Sequence, residues 1–203
     1  MGLIRNLFKQ ITATSGTDYS QRSDSWLINE WVECHDIEAY TEVYSRYSMI
    51  VFDFLSKKVS LDIAEDGVQH CFSMLVENPK SFKTIKNLKN YFLAIGYNYV
   101  KKYSRQQIVE ISFDEKIEKG FDLLDKQDVL SELIYEQDSK KIDKILNELR
   151  PEWSDAVRLR IEGYKPSEIS YILSISDVKK VKNNLYQSYK YIKKRLLEIS
   201  GEE

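Results

Sequence analysis

Apolar residues recur every three or four positions through residues 178–199, which places them on one stripe of an α-helix. The stripe consists of Val178, Val181, Leu185, Ser188, Ile192, Leu196 and Ile199. A shorter helix is predicted before it, with Pro166 at its first position and Ile169, Ile172 and Leu173 facing inward. A tight turn over residues 173–176 joins the two, and Ser176 or Asp177 can cap the second helix. This pattern predicts a helix-turn-helix.

The rest of the second helix surface carries cations and amides and no carboxylate. We expect it to expose Lys179, Lys180, Lys182, Asn183, Asn184, Gln187, Lys190, Lys193, Lys194 and Arg195. Cations neutralise phosphates, and amides hydrogen-bond to base edges. A lysine-rich helix face is often merely solvated, but its place after a short capped turn favours a DNA-binding surface.

Helical periodicity also runs through most of the remaining chain, whereas alternating β patterns are scarce, so the predicted fold is all-α. We predict a flexible lead-in over 1–24 and a helical domain over 25–106. An acidic linker over 107–139 then leads to a four-helix domain over 140–200.

The net charge of −2 is unevenly distributed. Residues 80–105 and 178–195 each carry seven basic and no acidic side chains, while 106–139 carry three basic and ten acidic ones. Two basic segments in an otherwise acidic chain are typical of a protein that contacts DNA at two separate places.

The first basic segment mixes lysines with aromatic rings, the combination that binds single-stranded nucleic acid. Aromatic residues on helices are more often core, and we assign Tyr91 and Tyr99 to it; Phe82, Tyr97 and Tyr103 are the rings expected to be exposed. Before this segment, a predicted helix turns Glu65, Asp66 and Gln69 outward, and Asn78-Pro79 ends it; residues 80–87 are predicted to form a loop. That acidic face suits a basic protein partner, or else it is simply solvated.

Other chemistries find little support in the sequence. Cys34 and Cys71 each stand beside a histidine, but adjacent helical side chains diverge by about 100°, which disfavours a zinc site. We see no phosphate-binding glycine loop and no catalytic constellation, and we expect no enzyme activity, no cofactor, no metal and no small-molecule substrate. No apolar run reaches the length of a membrane span, so we expect a cytoplasmic protein without direct membrane insertion.

Several segments together resemble the extracytoplasmic-function type of bacterial RNA polymerase sigma factors, which possess regions 2 and 4 only. Residues 64–72, AEDGVQHCF, are similar to the family's AEDLVQ-x-x-F helix, and residues 91–98, YFLAIGYN, look like its WL-x-x-IA-x-N segment. Residues 162–176, EGYKPSEISYILSIS, resemble EGLSYEEIAEILGIS, with Val181-Lys182 for the family's VK.

The resemblance implies core RNA polymerase and promoter DNA as partners, with a possible anti-sigma factor. It implies that the region 2-like domain binds the polymerase through Glu65, Asp66 and Gln69. The residues implied for the melted minus-10 strand are Phe82, Lys83, Lys86, Asn87, Asn98, Lys101, Lys102 and Arg105. Those implied for the minus-35 duplex in the region 4-like domain are Lys179, Lys182, Asn183, Asn184, Tyr186, Gln187 and Lys190.

The chain also departs from the family pattern. Four residues separate Ser176 from Val181 where the family usually has three, so the recognition helix starts later or the turn is longer. Lys165 replaces a serine cap, and Gly67 replaces a leucine, which lowers local helix propensity by up to about 1 kcal/mol. Two alternatives are a free-standing helix-turn-helix regulator and a helical interaction protein that binds no DNA.

Overall fold

The computed structural model describes residues 18–104 and 139–200, and within them every regular element is helical, which confirms the all-α prediction. The contacts between helices divide the chain into two compact units, Met1–Gln107 and Ile108–Glu203. Residues 107–138 of the predicted linker and residues 1–17 of the predicted lead-in lie outside the described residues. Residue 139, the last of the predicted linker, begins the first helix of the second unit.

Within residues 18–104 the first unit contains a 3-10 turn and five α-helices. They are the turn Tyr19–Gln21, α1 (Asp24–Cys34), α2 (Ile37–Ser56), α3 (Leu61–Glu77), α4 (Pro79–Phe82) and α5 (Leu88–Ser104). Short polar caps start two of these helices: the Ser23 hydroxyl accepts a hydrogen bond from the amide of Trp26, and the Asp36 carboxylate accepts from those of Glu38 and Ala39. The break expected at Asn78-Pro79 is present, but the short helix α4 (Pro79–Phe82) forms where residues 80–82 were predicted to belong to a loop.

Aromatic rings form much of the first unit's core. The ring of Phe72 on α3 lies 4.6 Å from that of Tyr44 on α2 and 4.9 Å from that of Phe92 on α5, measured between centroids. Phe92 is fully buried and also contacts Phe82 at 5.6 Å. Edge-to-face and offset ring contacts of this kind stabilise a core beyond the area they bury.

Two glycines allow α2, α3 and α5 to approach closely. A Cβ on Gly67 of α3 would lie 2.6 Å from Cδ1 of Leu55, and one on Gly96 of α5 would lie 3.1 Å from the same atom. Leu55 is fully buried, so it has little space into which to move. Gly67 is therefore a packing position between helices, not only a site of reduced helix propensity.

Residues 18–23, which the sequence analysis placed in the lead-in, are hydrogen-bonded to α2. The Arg46 guanidinium donates to the carbonyl oxygens of Tyr19 (3.1 Å) and Ser20 (2.9 Å) and to the carboxylate of Asp24 (2.9 Å). Tyr47 also donates to Asp24. These bonds attach the 3-10 turn and the start of α1 to the second helix.

Within residues 139–200 the second unit contains four helices: α6 (Ser139–Glu148), α7 (Pro151–Ile161), α8 (Pro166–Ile172) and α9 (Val178–Ser200). Aliphatic side chains fill its core, including Ile145, Leu159, Ile169 and Ile172, all of which are buried. Gly163 ends α7 with a φ of 91°, in the left-handed region that glycine adopts at little cost. These helices position the helix-turn-helix, α8 and α9.

The end of α6 is tied to α9 by a charged network. Glu148 accepts hydrogen bonds from Arg195 (2.9 Å) and from the Tyr191 hydroxyl (3.0 Å). The hydrogen bond from Arg195 is the main reason that the pKa of Glu148 lies below its ordinary value. Arg195 therefore connects two helices of its own unit, whereas the sequence analysis placed it on the outward surface of α9.

Candidate DNA-binding and protein-binding surfaces

The outward side of α9 carries a row of cations that we call the α9 cationic face. Its exposed members are Lys179, Lys180, Lys182, Tyr186, Lys190, Lys193 and Lys194, with Asn183 and Gln187 partly exposed beside them. Residues 178–195 contain no carboxylate, and the row ends at Lys194, which forms an ion pair with Glu198 at 3.8 Å. The face can therefore bind phosphates through several lysines at once.

The start of α9 is fixed by Asp177. Its carboxylate accepts a hydrogen bond from the amide of Lys179 (2.8 Å), and its carbonyl accepts those of Lys180 and Val181. Of the two caps that the sequence allowed, the structure uses Asp177, and the helix begins at Val178.

The turn between α8 and α9 has a hydrogen-bonded geometry. The amides of Ser174 and Ile175 donate back to the carbonyls of Tyr171 and Ser170, and the Ser170 hydroxyl donates to the Ile175 carbonyl at 2.7 Å. Ser174 adopts a φ of 52°, in the left-handed region where glycine is usual. At the other end of α8, Lys165 offers no acceptor for a cap, and Glu168 accepts from its amide at 2.9 Å.

Asn184 is not on the DNA-facing side of α9, which corrects the sequence prediction. Its exposed fraction is 5 %, because it lies three residues after Val181 and four before Ser188, on the stripe that packs inward. Its side-chain nitrogen is buried without a hydrogen-bond partner. Asn183, its neighbour, is partly exposed and remains a candidate for base contacts.

In the first basic segment, two of the three rings expected at the surface are buried. Phe82 is 1 % exposed because the short helix α4 turns its ring onto those of Tyr91 (5.0 Å) and Phe92. Tyr97 is 5 % exposed and lies near the ring of Phe54 (6.4 Å). Neither ring can stack on a base without rearrangement of the core, so Phe82 is removed from the minus-10 candidates.

The cationic candidates of this segment have varied surroundings. Lys83 is exposed and forms an ion pair with Glu33 of α1 at 2.5 Å. Lys86 and Asn87 are exposed, and the Asn87 side chain caps α5 by accepting from the amide of Asn90 at 2.9 Å. Asn98 is exposed as well. These four positions leave polar groups at the surface on and before α5.

The end of α5 brings two further candidate lysines next to tyrosine rings. The ammonium of Lys101 lies 5.6 Å from the Tyr97 centroid. Lys102 is exposed, and its ammonium lies 4.1 Å from the centroid of Tyr99. Arg105, also predicted for the minus-10 strand, lies outside the described residues.

Sequence reasoning missed that Tyr99 belongs to a surface cluster. Its ring stacks on that of His70 from α3, with centroids 4.7 Å apart and 29° between the planes, and lies 6.0 Å from that of Tyr103. All three rings are partly exposed. Tyr99 and Tyr103 are four residues apart with Lys102 between them, a spacing that could have indicated the cluster within α5. The contribution of α3 could not be read from spacing.

The outward side of α3 is acidic. Glu65, Asp66 and Gln69 are all exposed, as the sequence predicted, and Asp62 is exposed one turn earlier. We call Asp62, Glu65, Asp66 and Gln69 the α3 acidic face. Its carboxylates and amide lie on one side of a helix that is packed against α2 and α5, so the face has a fixed shape.

Neither cysteine contributes to a metal-binding cluster in the described part of the chain, and no group of three or more His, Cys, Asp or Glu side chains there could hold an ion. Burial raises the pKa of the Cys71 thiol to about 12, because an apolar surrounding disfavours the thiolate. Cys71 is accordingly an unreactive core residue. Among the helices of residues 18–104 and 139–200, none combines the length and apolarity of a bilayer span.

Comparison with protein families and with curated protein sequences finds no match to this chain.

Proposed function

We propose that this protein is a promoter-specificity subunit of the sigma type, which binds core RNA polymerase and directs it to promoters. The observation that carries the proposal is the α9 cationic face. It lies on the second helix of a capped helix-turn-helix and presents lysines and amides without a carboxylate. The sequence resemblance to sigma factors selects this function among those open to a helix-turn-helix protein.

In this function the first half of α9 enters the major groove of the minus-35 element. Lys179, Lys182, Asn183, Tyr186 and Gln187 lie on its outward side, within about three turns of the cap. The lysines contact phosphates and set the orientation of the helix, while the amides hydrogen-bond to base edges. Lys190 continues the row toward the phosphate backbone.

The α3 acidic face is the proposed polymerase contact. Glu65 and Asp66 are acidic, whereas the DNA-binding candidates of the same unit are lysines and amides. This difference in charge favours separate surfaces for the polymerase and for DNA. The complementary surface on the polymerase is then basic, with groups that also hydrogen-bond to Gln69.

The polar groups on and before α5 are proposed to hold the melted minus-10 strand. Strand opening costs base stacking, and captured bases together with polymerase contacts must offset that cost. The remaining candidates are Lys83, Lys86, Asn87, Asn98, Lys101 and Lys102. A subunit of this kind acts in the cytoplasm, and an anti-sigma protein is a further possible partner.

The test is co-purification of the full chain with core RNA polymerase. We expect the wild type to bind and the Glu65→Lys, Asp66→Lys double variant to lose binding, because both charges on the α3 acidic face are reversed. The matched control is Asp53→Lys, Glu77→Lys, which changes the net charge equally at two exposed positions outside that face. The control is expected to bind like the wild type.

If the wild type does not bind the core enzyme but still binds duplex DNA, a free-standing helix-turn-helix regulator replaces the sigma proposal. Equal loss of binding in both double variants would remove the α3 acidic face from the proposal, because net charge alone would explain it.

A further inference from the structure

The cluster at the junction of α3 and α5 consists of three rings and one cation, and we call it the α3–α5 ring cluster. Its members are His70, Tyr99, Lys102 and Tyr103. The Lys102 ammonium lies 4.1 Å from the Tyr99 centroid and 4.8 Å from that of Tyr103, so one cation contacts both tyrosines. Exposed rings beside a lysine are the surface on which unpaired bases stack.

The rings are held in place from two sides. The Tyr103 side chain, whose ring lies 6.0 Å from that of Tyr99, is the main reason that the pKa of Tyr99 is raised. On α3, a Cβ at Gly67 would lie 3.5 Å from Cδ1 of Tyr99, an ordinary van der Waals distance, so the Tyr99 ring lies directly against α3, next to His70.

We propose that the α3–α5 ring cluster is a stacking site for an unpaired DNA base, with Lys102 contacting the adjoining phosphate. This inference rests on the proposed function, since it adds a capture point for the melted strand. Of the three rings that the sequence analysis expected at the surface, only Tyr103 belongs to this cluster, because Phe82 and Tyr97 are buried. The cluster adds Tyr99, which was assigned to the core, and His70.

A base can displace the lysine from the rings. An exposed cation–π contact is equivalent to roughly a 2- to 5-fold effect on affinity, whereas a stacked base contributes roughly 5- to 150-fold. Lys102 is exposed, so its ammonium can turn from the ring to a phosphate while the base takes its place.

One charge opposes phosphate binding at this site. Asp66 is near enough to contribute to the raised pKa of Tyr99, after the Tyr103 side chain and desolvation. Its carboxylate therefore repels a phosphate brought to the rings. Since Asp66 also belongs to the proposed polymerase contact, Asp66→Asn should strengthen single-strand binding by the free chain and weaken binding to the core enzyme.

The experiment measures binding of the full chain to an end-labelled oligodeoxythymidylate by fluorescence anisotropy over a range of salt concentrations. Tyr103→Ala is expected to lower affinity by about 10-fold, and Tyr103→Phe to retain it, because stacking needs the ring and not the hydroxyl. Lys102→Gln is expected to reduce the salt slope by about 0.7. The matched control is Tyr171→Ala, which removes another exposed tyrosine, on α8 of the second unit.

Equal affinities of wild type and Tyr103→Ala, or an equal loss in Tyr171→Ala, would overturn the stacking site. A wild type that does not bind the oligonucleotide would overturn it as well. Each outcome is distinguishable from failure of the proposed function, because core polymerase binding is read separately. Tyr103→Ala should still co-purify with the core enzyme, and it tests the cluster without altering the buried part of α5.

Discussion

The two basic segments of the chain each contain six lysines but differ in where their other side chains lie. In residues 80–104, rings that could have met a nucleic acid, Phe82 and Tyr97, are in the core, and polar groups at the surface are spread over loop and helix. In α9 the apolar stripe is inside, and the outward side is a continuous row of lysines and amides. A count of charges does not distinguish these arrangements, whereas burial does.

The units also differ in construction. The first is held by ring contacts and by two glycines that permit close helix packing. The second is held by aliphatic side chains, a capped turn and the bonds of Glu148 to α9. Substitutions should therefore affect the two units through different physical effects, and each unit can be tested separately.

The largest expected effect is on duplex binding through α9. Lys179→Glu, Lys182→Glu should weaken binding of the full chain to duplex DNA by about 100-fold at low salt, since two phosphate contacts become repulsions. Single-strand binding should change much less. Fluorescence anisotropy on both DNA forms measures the difference. A parallel loss on both forms would show that the two basic segments do not act separately.

Packing in the first unit gives the next largest effect. Gly67→Leu should lower its free energy of unfolding by about 2 kcal/mol, because overpacking against buried Leu55 outweighs the gain of about 1 kcal/mol in helix propensity. Thermal unfolding followed by circular dichroism measures this as a lower midpoint. Ser73→Leu, at an exposed position of α3, is the control and should be close to neutral. A stabilised Gly67→Leu protein would contradict the close approach of α2 and α3.

Adjacent amides in α9 provide a smaller and more specific test. Asn183→Ala should weaken binding to a duplex selected from a random pool by roughly 10-fold, through loss of a base contact. Asn184→Ala should leave that affinity unchanged, because Asn184 is buried. Titration of both variants by anisotropy measures the contrast. If Asn184→Ala lost affinity without a change in thermal stability, Asn184 would return to the DNA-facing residues.

The smallest expected effect concerns the turn of the helix-turn-helix. Ser174→Gly should raise the free energy of unfolding of the second unit by about 1 kcal/mol, because glycine adopts the positive φ of this position without the penalty of a Cβ. Chemical denaturation of the full chain measures the shift. Ser176→Gly, at an exposed position two residues later, is the control and should not stabilise. Destabilisation by Ser174→Gly would mean that the serine side chain contributes more than its backbone costs.

Local sequence signals predicted much of the helix pattern correctly. Pro166 begins α8, Asp177 was one of two possible caps of α9, and Asn78-Pro79 separates two helices. These signals act through the backbone within one turn, so they can be read without knowing which distant residues pack against the helix. The exposure of Glu65, Asp66 and Gln69 followed from periodicity for the same reason.

Side chains at the boundary of a helix stripe were predicted less well. Asn184 lies beside the apolar stripe of α9, and only the packing of that helix on the unit decides that it turns inward. Phe82 was expected in a loop, but α4 forms there and turns its ring into the core. Both errors arise because a polar or loop position is read as exposed unless a neighbouring helix is known to cover it.

The sequence by itself determined the helical class, the start of α8, the possible caps of α9 and the distribution of charge, because each depends on residues within a few positions of one another. Only the tertiary structure decided which rings are buried, why position 67 is glycine, and that His70 meets Tyr99. Those properties depend on contacts between helices far apart in the chain, and helix periodicity gives the direction of a side chain without giving what lies there.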